Sequence, residues 1–235
     1  MSRLSRPSRP IGKNGATRAF RTTRRARLGA AAGAVCLLLA GASVADARGW
    51  WSPRGNEVRV MLPEGQNNPA IANGVAIGRD VALYESSGLG PAGLNPAAPA
   101  GTPERYTDPA LTAGKQGVTI TEAQALLVLR AIVDNLQAAG LRPRDVITMT
   151  CYLTAPPGQE TADYAGWNRA YRQYFANVDL ATREVIEVPM GTSPPEEPLV
   201  PNAARPARAT MEVASLAVPG WLVEVEVTAA YPARR

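Results

Sequence analysis

Arg208 is the side chain with the clearest capacity to recognise a ligand. A planar guanidinium offers paired N–H donors that match the two oxygens of a carboxylate, and this one opens a β-rich stretch, Ala209 to Leu216. In the next such stretch, Leu222 to Tyr231, Glu224 and Glu226 alternate with Val223, Val225 and Val227. The two carboxylates therefore share one face of a strand whose other face is buried. A carboxylate beside a cleft can hold and deprotonate a water molecule, although alternation alone reads as a plain solvated face. Other chemistries are excluded. The chain has no histidine, which removes Ser-His-Asp triads, Cys-His dyads and His-ligated zinc. Cys151 lies inside the apolar run Val146 to Leu153, the setting of a buried, inert thiol rather than a nucleophile.

The formal charge of +5 combines two unlike segments. Residues 1–47 hold nine basic side chains and one acid, Asp46, so the rest of the chain carries sixteen basic against nineteen acidic residues, a net charge of −3. An acidic body without a Lys/Arg cluster lacks the footprint that phosphate neutralisation requires, and nucleic acid is set aside as a partner. The basic stretch ends at Arg24-Arg25-Ala26-Arg27 and leads into the uncharged Leu28 to Ala45, then Ala45-Asp46-Ala47. That order is a secretory signal peptide, with cleavage after Ala47 or slightly upstream. The arginine pair also has a twin-arginine flavour. The alternative is an uncleaved membrane anchor, which Gly29, Gly33 and Gly41 weaken. In either case the body is expected to be periplasmic or secreted, touching a membrane only through an uncleaved leader. Cys36 lies within that leader, so Cys151 has no intramolecular disulfide partner in the mature protein.

Three parts are expected: the leader at 1–47, an N-terminal extension at 48–68, and one domain at 69–235. Within the domain, Gly/Pro-rich stretches at about 89–117 and 190–206 read as long loops, because proline at that density blocks helix and inner strand. Val75 to Ile77 and Val81 to Ser86 flank Gly78-Arg79-Asp80, a hairpin signal. Thr121 to Ala139 has apolar residues at helical spacing, Thr121 and Gln124 in capping-box spacing, and a stop at Gly140. Val146 to Thr154 reads as a strand. A second helix is expected from about Ala162 to Phe175, with Tyr164, Trp167, Tyr171 and Tyr174 on one face. Ala209 to Leu216 and Leu222 to Tyr231, joined across Val218-Pro219-Gly220, complete a pattern of hairpin, helix, strand, helix, hairpin.

Four stretches resemble the RidA (YjgF-type) imine and enamine deaminases, a family also labelled endoribonuclease L-PSP. Pro206 to Leu216 (P-A-R-A-T-M-E-V-A-S-L) with Leu222 to Ala229 (L-V-E-V-E-V-T-A) is similar to its C-terminal signature. Ile71 to Gly78 with Tyr84-Glu-Ser-Ser-Gly88 resembles its opening hairpin, Asn135 to Leu153 its first helix and following strand, and Tyr164 to Phe175 its second helix. The resemblance implies an α+β, chorismate-mutase-like fold, a mixed six-stranded-type sheet with two helices on one face, assembled as a homotrimer with sites at the subunit interfaces. It implies hydrolysis of reactive 2-imino acids to 2-keto acids and ammonia, without metal or organic cofactor. Carried over residue by residue, Arg208 grips the substrate carboxylate and Glu224 acts as the general base. Ser87 and Thr210 line the pocket, and Ile71 replaces an active-site tyrosine. A trimeric carboxylate-binding protein without turnover is the alternative. Ribonuclease is disfavoured by the acidic body and by the absence of histidine.

Overall fold

The structure, a computed structural model, describes residues 52–233; the expected leader lies outside the described residues. Six strands and two helices follow one another as β1 (Val58–Met61), β2 (Gly74–Ile77), β3 (Leu83–Glu85), α1 (Ile120–Ala138), β4 (Val146–Leu153), α2 (Tyr164–Arg172), β5 (Ala207–Glu212) and β6 (Val223–Ala230). The class is α+β, as the sequence implied. The six strands nevertheless divide into two sheets, a four-stranded one in the order β3-β6-β4-β5 and a two-stranded ribbon of β1 and β2.

Both expected hairpins are replaced by other pairings. β2 pairs with β1, which arises from the N-terminal extension, and β3 pairs with β6. The cause is local: Gly78 and Asp80 donate their N–H groups to Glu57 and Gly55, while the carbonyl of Ala82 already accepts the N–H of Tyr231. The chain does turn at Arg79 and Asp80, where the N–H of Val81 donates to the carbonyl of Gly78 at 3.2 Å, but the strands on either side are each taken by another partner. β5 and β6 likewise flank β4 instead of each other, β5 parallel and β6 antiparallel to it. The chain from α2 to residue 206 supplies the long crossover that a parallel neighbour needs. β4 and β6 are the two inner strands, and β4 buries Met149, Cys151 and Leu153 on the helix side.

α1 starts two residues before the expected capping box. Thr119 is its N-cap, accepting the N–H of Glu122 at 3.1 Å. The helix ends as expected before Gly140, whose positive φ of 77° lets the N–H of Leu141 turn back to the carbonyl of Leu136 at 2.8 Å. α2 is shorter than expected, opening at Asp163, whose side chain accepts the N–H of Gly166 at 2.7 Å. Trp167, Tyr171 and Tyr174 are buried, whereas Tyr164 is exposed and leaves the aromatic stripe. The Tyr174 hydroxyl donates to the carbonyl of Leu126, tying α2 to α1.

The two Gly/Pro-rich stretches close over α1, and residues 121–129 are consequently buried without interruption. The fully buried Gln124 donates to the carbonyls of Pro103 and Gly220 at 2.9 and 2.8 Å and accepts the N–H of Leu222 at 2.7 Å. It thereby pins a 3-10 turn, Pro103–Tyr106, to the approach of β6. On the other stretch, the N–H of Gly191 donates to Glu122 at 2.8 Å. Glu122 is 0 % exposed and receives Arg169 of α2 at 2.7 Å.

Candidate active site

Arg208 lies opposite Met149 in the parallel ladder, so its side chain leaves the helix face of the sheet. There its guanidinium carbon stands 4.3 Å from the ring centre of Tyr171 and 5.7 Å from that of Trp167, a cation–π arrangement that holds the flat group in place. Nη2 donates to the Asn168 side-chain carbonyl at 2.7 Å. Nη1 is buried and has no hydrogen-bond partner among the described residues. Burial lowers the pKa of Arg208, but a guanidinium remains a cation throughout the ordinary pH range. Burial pushes the Tyr171 hydroxyl up to about 12, against the opposing charges of Arg208, Arg205 and Arg172; that hydroxyl donates to the carbonyl of Ala70 at 2.9 Å.

Thr210, two residues along the same strand face, accepts the indole N–H of Trp167 at 3.3 Å. Ile71 follows Ala70, packs against the core, and precedes Ala72, which bridges Ala207. Arg208, Thr210 and Ile71 thus gather around α2. Asn168, which the sequence reasoning missed, belongs with them as the residue that orients Arg208. Its signal was present only as the neighbour of Trp167 on a helix face, and it becomes informative once the direction of Arg208 is known.

Glu224 lies apart from Arg208, Thr210 and Ile71, against the chain at Gly88. Glu224 lies opposite Tyr152 on the sheet face away from the helices, and Glu226 on the same face accepts the Tyr152 hydroxyl at 3.3 Å. The Glu224 carboxylate rests so close to Gly88 that a Cβ there would collide with it. Ser87, next along the chain, is exposed. Within one chain, Arg208 and Glu224 sit two strands apart and three residues apart along them, roughly 14 Å between backbones at ordinary sheet spacing and rise, and on opposite faces. One chain does not bring the two side chains together.

The large cleft of about 870 Å³ lies elsewhere. It is lined by Val58 and Val60 of β1, Val146 and Ile147 of β4, Arg205 and Tyr231, and contains none of the five candidate residues. Arg205 there is committed to structure, donating to the carbonyls of Pro69, Ala203 and Val178. Cys151 is 0 % exposed, and burial pushes its thiol well above the ordinary range. Folded protein of residues 48–235, which lacks Cys36, is therefore expected to give no reaction with a thiol-exchange reagent at pH 8 and to react once unfolded in guanidinium. A stoichiometric reaction in the native state would place Cys151 at the surface.

No curated protein matches the chain. Among solved structures, it is similar to a protein of unknown function of the Rid family from Yersinia pestis, at 18% identity over 74% of this chain and 98% of that one, with a TM-score of 0.41. It is also similar to a YjgF-family member from Neisseria meningitidis, at 22% identity over 77% and 100%, with a TM-score of 0.36. A third is a structure described as a putative endoribonuclease from Klebsiella pneumoniae, at 18% identity over 64% and 93%, with a TM-score of 0.39. The sequence match that carries weight is to the family model described as Endoribonuclease L-PSP, which spans residues 108–231 and so takes in α1, β4, α2, β5 and β6 together with Arg208 and Glu224. With more than half of the chain matched, the protein belongs to the endoribonuclease L-PSP family, the YjgF/RidA-type proteins.

Proposed function

We propose that the protein hydrolyses 2-imino acids to 2-keto acids and ammonia outside the cytoplasm, as a homotrimer whose sites each combine the Arg208 half of one copy with the Glu224 half of another. The observation that carries this reading is the Arg208 guanidinium, clamped between Tyr171 and Asn168 with Nη1 buried and unpartnered. An unpaired buried donor costs free energy, and a substrate carboxylate would remove that cost. The segregation of Glu224 to the opposite sheet face supports a site shared between copies, since a cyclic assembly juxtaposes unlike surfaces of neighbours.

In this mechanism the substrate carboxylate pairs with Arg208, and backbone carbonyls near Arg208 and Thr210 accept the imine N–H. Glu224, beside Ser87, takes a proton from water as the water oxygen bonds to the imine carbon. The C=N electron pair moves to nitrogen, which takes up the proton held by Glu224. Glu224 then removes the proton of the new hydroxyl and passes it to the amine, and the tetrahedral carbon re-forms a carbonyl as ammonia leaves. Water and the imino acid are the only reactants. Arg208 fixes position and charge, and Glu224 moves the proton.

Ile71 favours a second reading. It is an apolar residue packed against the core beside Arg208, so it offers no hydroxyl to a reacting group, and a binding protein without turnover needs none. The two readings separate in one assay of residues 48–235 with freshly generated 2-imino acids. Deamination gives ammonia and 2-keto acid in equal amounts above the buffer rate, lost in Glu224→Ala. Carboxylate binding with ammonia release at the buffer rate would leave the binding protein as the better account.

A further inference from the structure

Gly88 and Gly90 flank the Leu89–Val225 bridge, where the two residues exchange both backbone hydrogen bonds at 3.0 Å. Leu89 packs inward against the core. In extended chain, residues two apart share a face, so the Cβ positions of both glycines point outward, to the side that carries Glu224. A Cβ on Gly88 would strike the Glu224 carboxylate, and one on Gly90 would strike the indole of Trp221. The ring carbons Cζ3, Cε3 and Cη2 lie at almost the same distance from that second position. A point equidistant from three consecutive ring atoms is above the ring and not beyond its edge, so the indole lies flat on Gly90.

Trp221 and the Glu224 carboxylate are therefore neighbours on one floor, each resting on a glycine that is present because any side chain would displace it. Tyr106, from the 89–117 stretch, holds the indole in place, edge to face with ring centres 6.4 Å apart at 88°. The backbone of Trp221 is fixed as well, its carbonyl accepting the Thr154 hydroxyl at 3.2 Å. Trp221 is only part-buried, and its indole N–H is buried without a partner among the described residues. A ring lying flat along the chain takes up less of the space over the sheet than one standing on edge would.

We propose that Trp221 is a specificity-determining residue of the Glu224 half-site, selecting imino acids with an aromatic side chain over small ones. This rests on the deaminase reading and adds to it the class of side chain accepted. Packing of an aromatic group on a rigid indole adds favourable contact beyond its buried area, and a single apolar pocket contact discriminates by about 10- to 200-fold.

The test compares the 2-imino acids made from phenylalanine and from alanine by an amino-acid oxidase, measured as the ratio of their kcat/KM values. In the parent that ratio is expected to exceed about 10. In Trp221→Ala, and in Gly90→Ala where the new methyl pushes the indole off its seat, it is expected to fall about tenfold or more. A parent ratio of one or less, or a ratio unchanged in both variants while circular dichroism shows them folded, overturns the proposal. If the parent hydrolyses neither imine, the deaminase reading fails, and calorimetry decides on Trp221 alone. Phenylpyruvate bound more tightly than pyruvate, with the difference lost in Trp221→Ala, upholds the aromatic wall; equal binding of the two keto acids by the parent removes it.

Discussion

Replacing Arg208 with alanine is expected to lower kcat/KM for 2-imino acids by a factor of about 100 to 1,000, corresponding to the loss of two charge-assisted hydrogen bonds to a carboxylate in a partly dry site. The size follows from preorganisation. The guanidinium is already held over Tyr171 and bonded to Asn168, so little further ordering is needed when the substrate binds. Arg208→Lys is expected to recover only a small part of the loss. An ammonium cannot reproduce the paired donors, and it would not reach Asn168 and the ligand in one plane. Asn168→Ala is expected to raise KM more than it lowers kcat, since it frees the guanidinium without removing it. Steady-state kinetics on imines generated in place checks all three; an Arg208→Ala protein within threefold of the parent would remove Arg208 from the site.

Glu122→Ala is expected to lower stability by about 3 kcal/mol, and so to lower Tm by roughly 6 to 12 °C for a domain of this size. Glu122 is 0 % exposed and joins three elements: α1 on which it sits, α2 through Arg169, and the 190–206 stretch through the N–H of Gly191. Removing it leaves the Gly191 N–H unpaired and Arg169 without its counter-charge, the situation in which a broken buried pair is most costly. Glu122→Gln keeps an acceptor for Gly191 and is expected to cost less than half as much. Thermal unfolding followed by circular dichroism measures both, and equal Tm values for parent and Glu122→Ala would show that the pair is not a tether.

Elements with strong local signals were legible in the sequence. The helical spacing of α1 and its stop at Gly140, and the alternation of Val and Glu in β6, appear where they were expected. The pairing of strands was not legible, because partner choice is decided by distant hydrogen bonds. Nothing near Gly78 reveals that Glu57 and Gly55 will take its neighbourhood into a ribbon with β1. The helical spacing of α1 also does not announce that Glu122 and Gln124 are buried, which the closure of residues 89–117 and 190–206 over the helix explains.

The candidate site divides along the same line. β6 obeys the rule of apolar inward and polar outward, but β5 inverts it: Arg208 and Thr210 face the helices, while Met211 faces away and is exposed. Period-two reasoning would turn Arg208 outward, onto the side of Glu224. The inversion is stabilised by Trp167, Tyr171 and Asn168, three residues of α2 that give the guanidinium and the threonine hydroxyl partners on the inner side. No spacing along β5 records this, since the partners lie about forty residues upstream.

The sharing of one site between two copies is tested most directly by mixing two inactive proteins. Arg208→Ala and Glu224→Ala are each prepared, unfolded and refolded together, and assayed for ammonia release from 2-imino acids. Random assembly into a cyclic trimer gives about one intact pairing of Arg208 and Glu224 in every four interfaces, so the mixture is expected to regain about a quarter of the parent rate while each variant refolded alone stays inactive. A mixture that remains as inactive as its components, although it assembles to the same size as the parent, would contradict a site built from two copies.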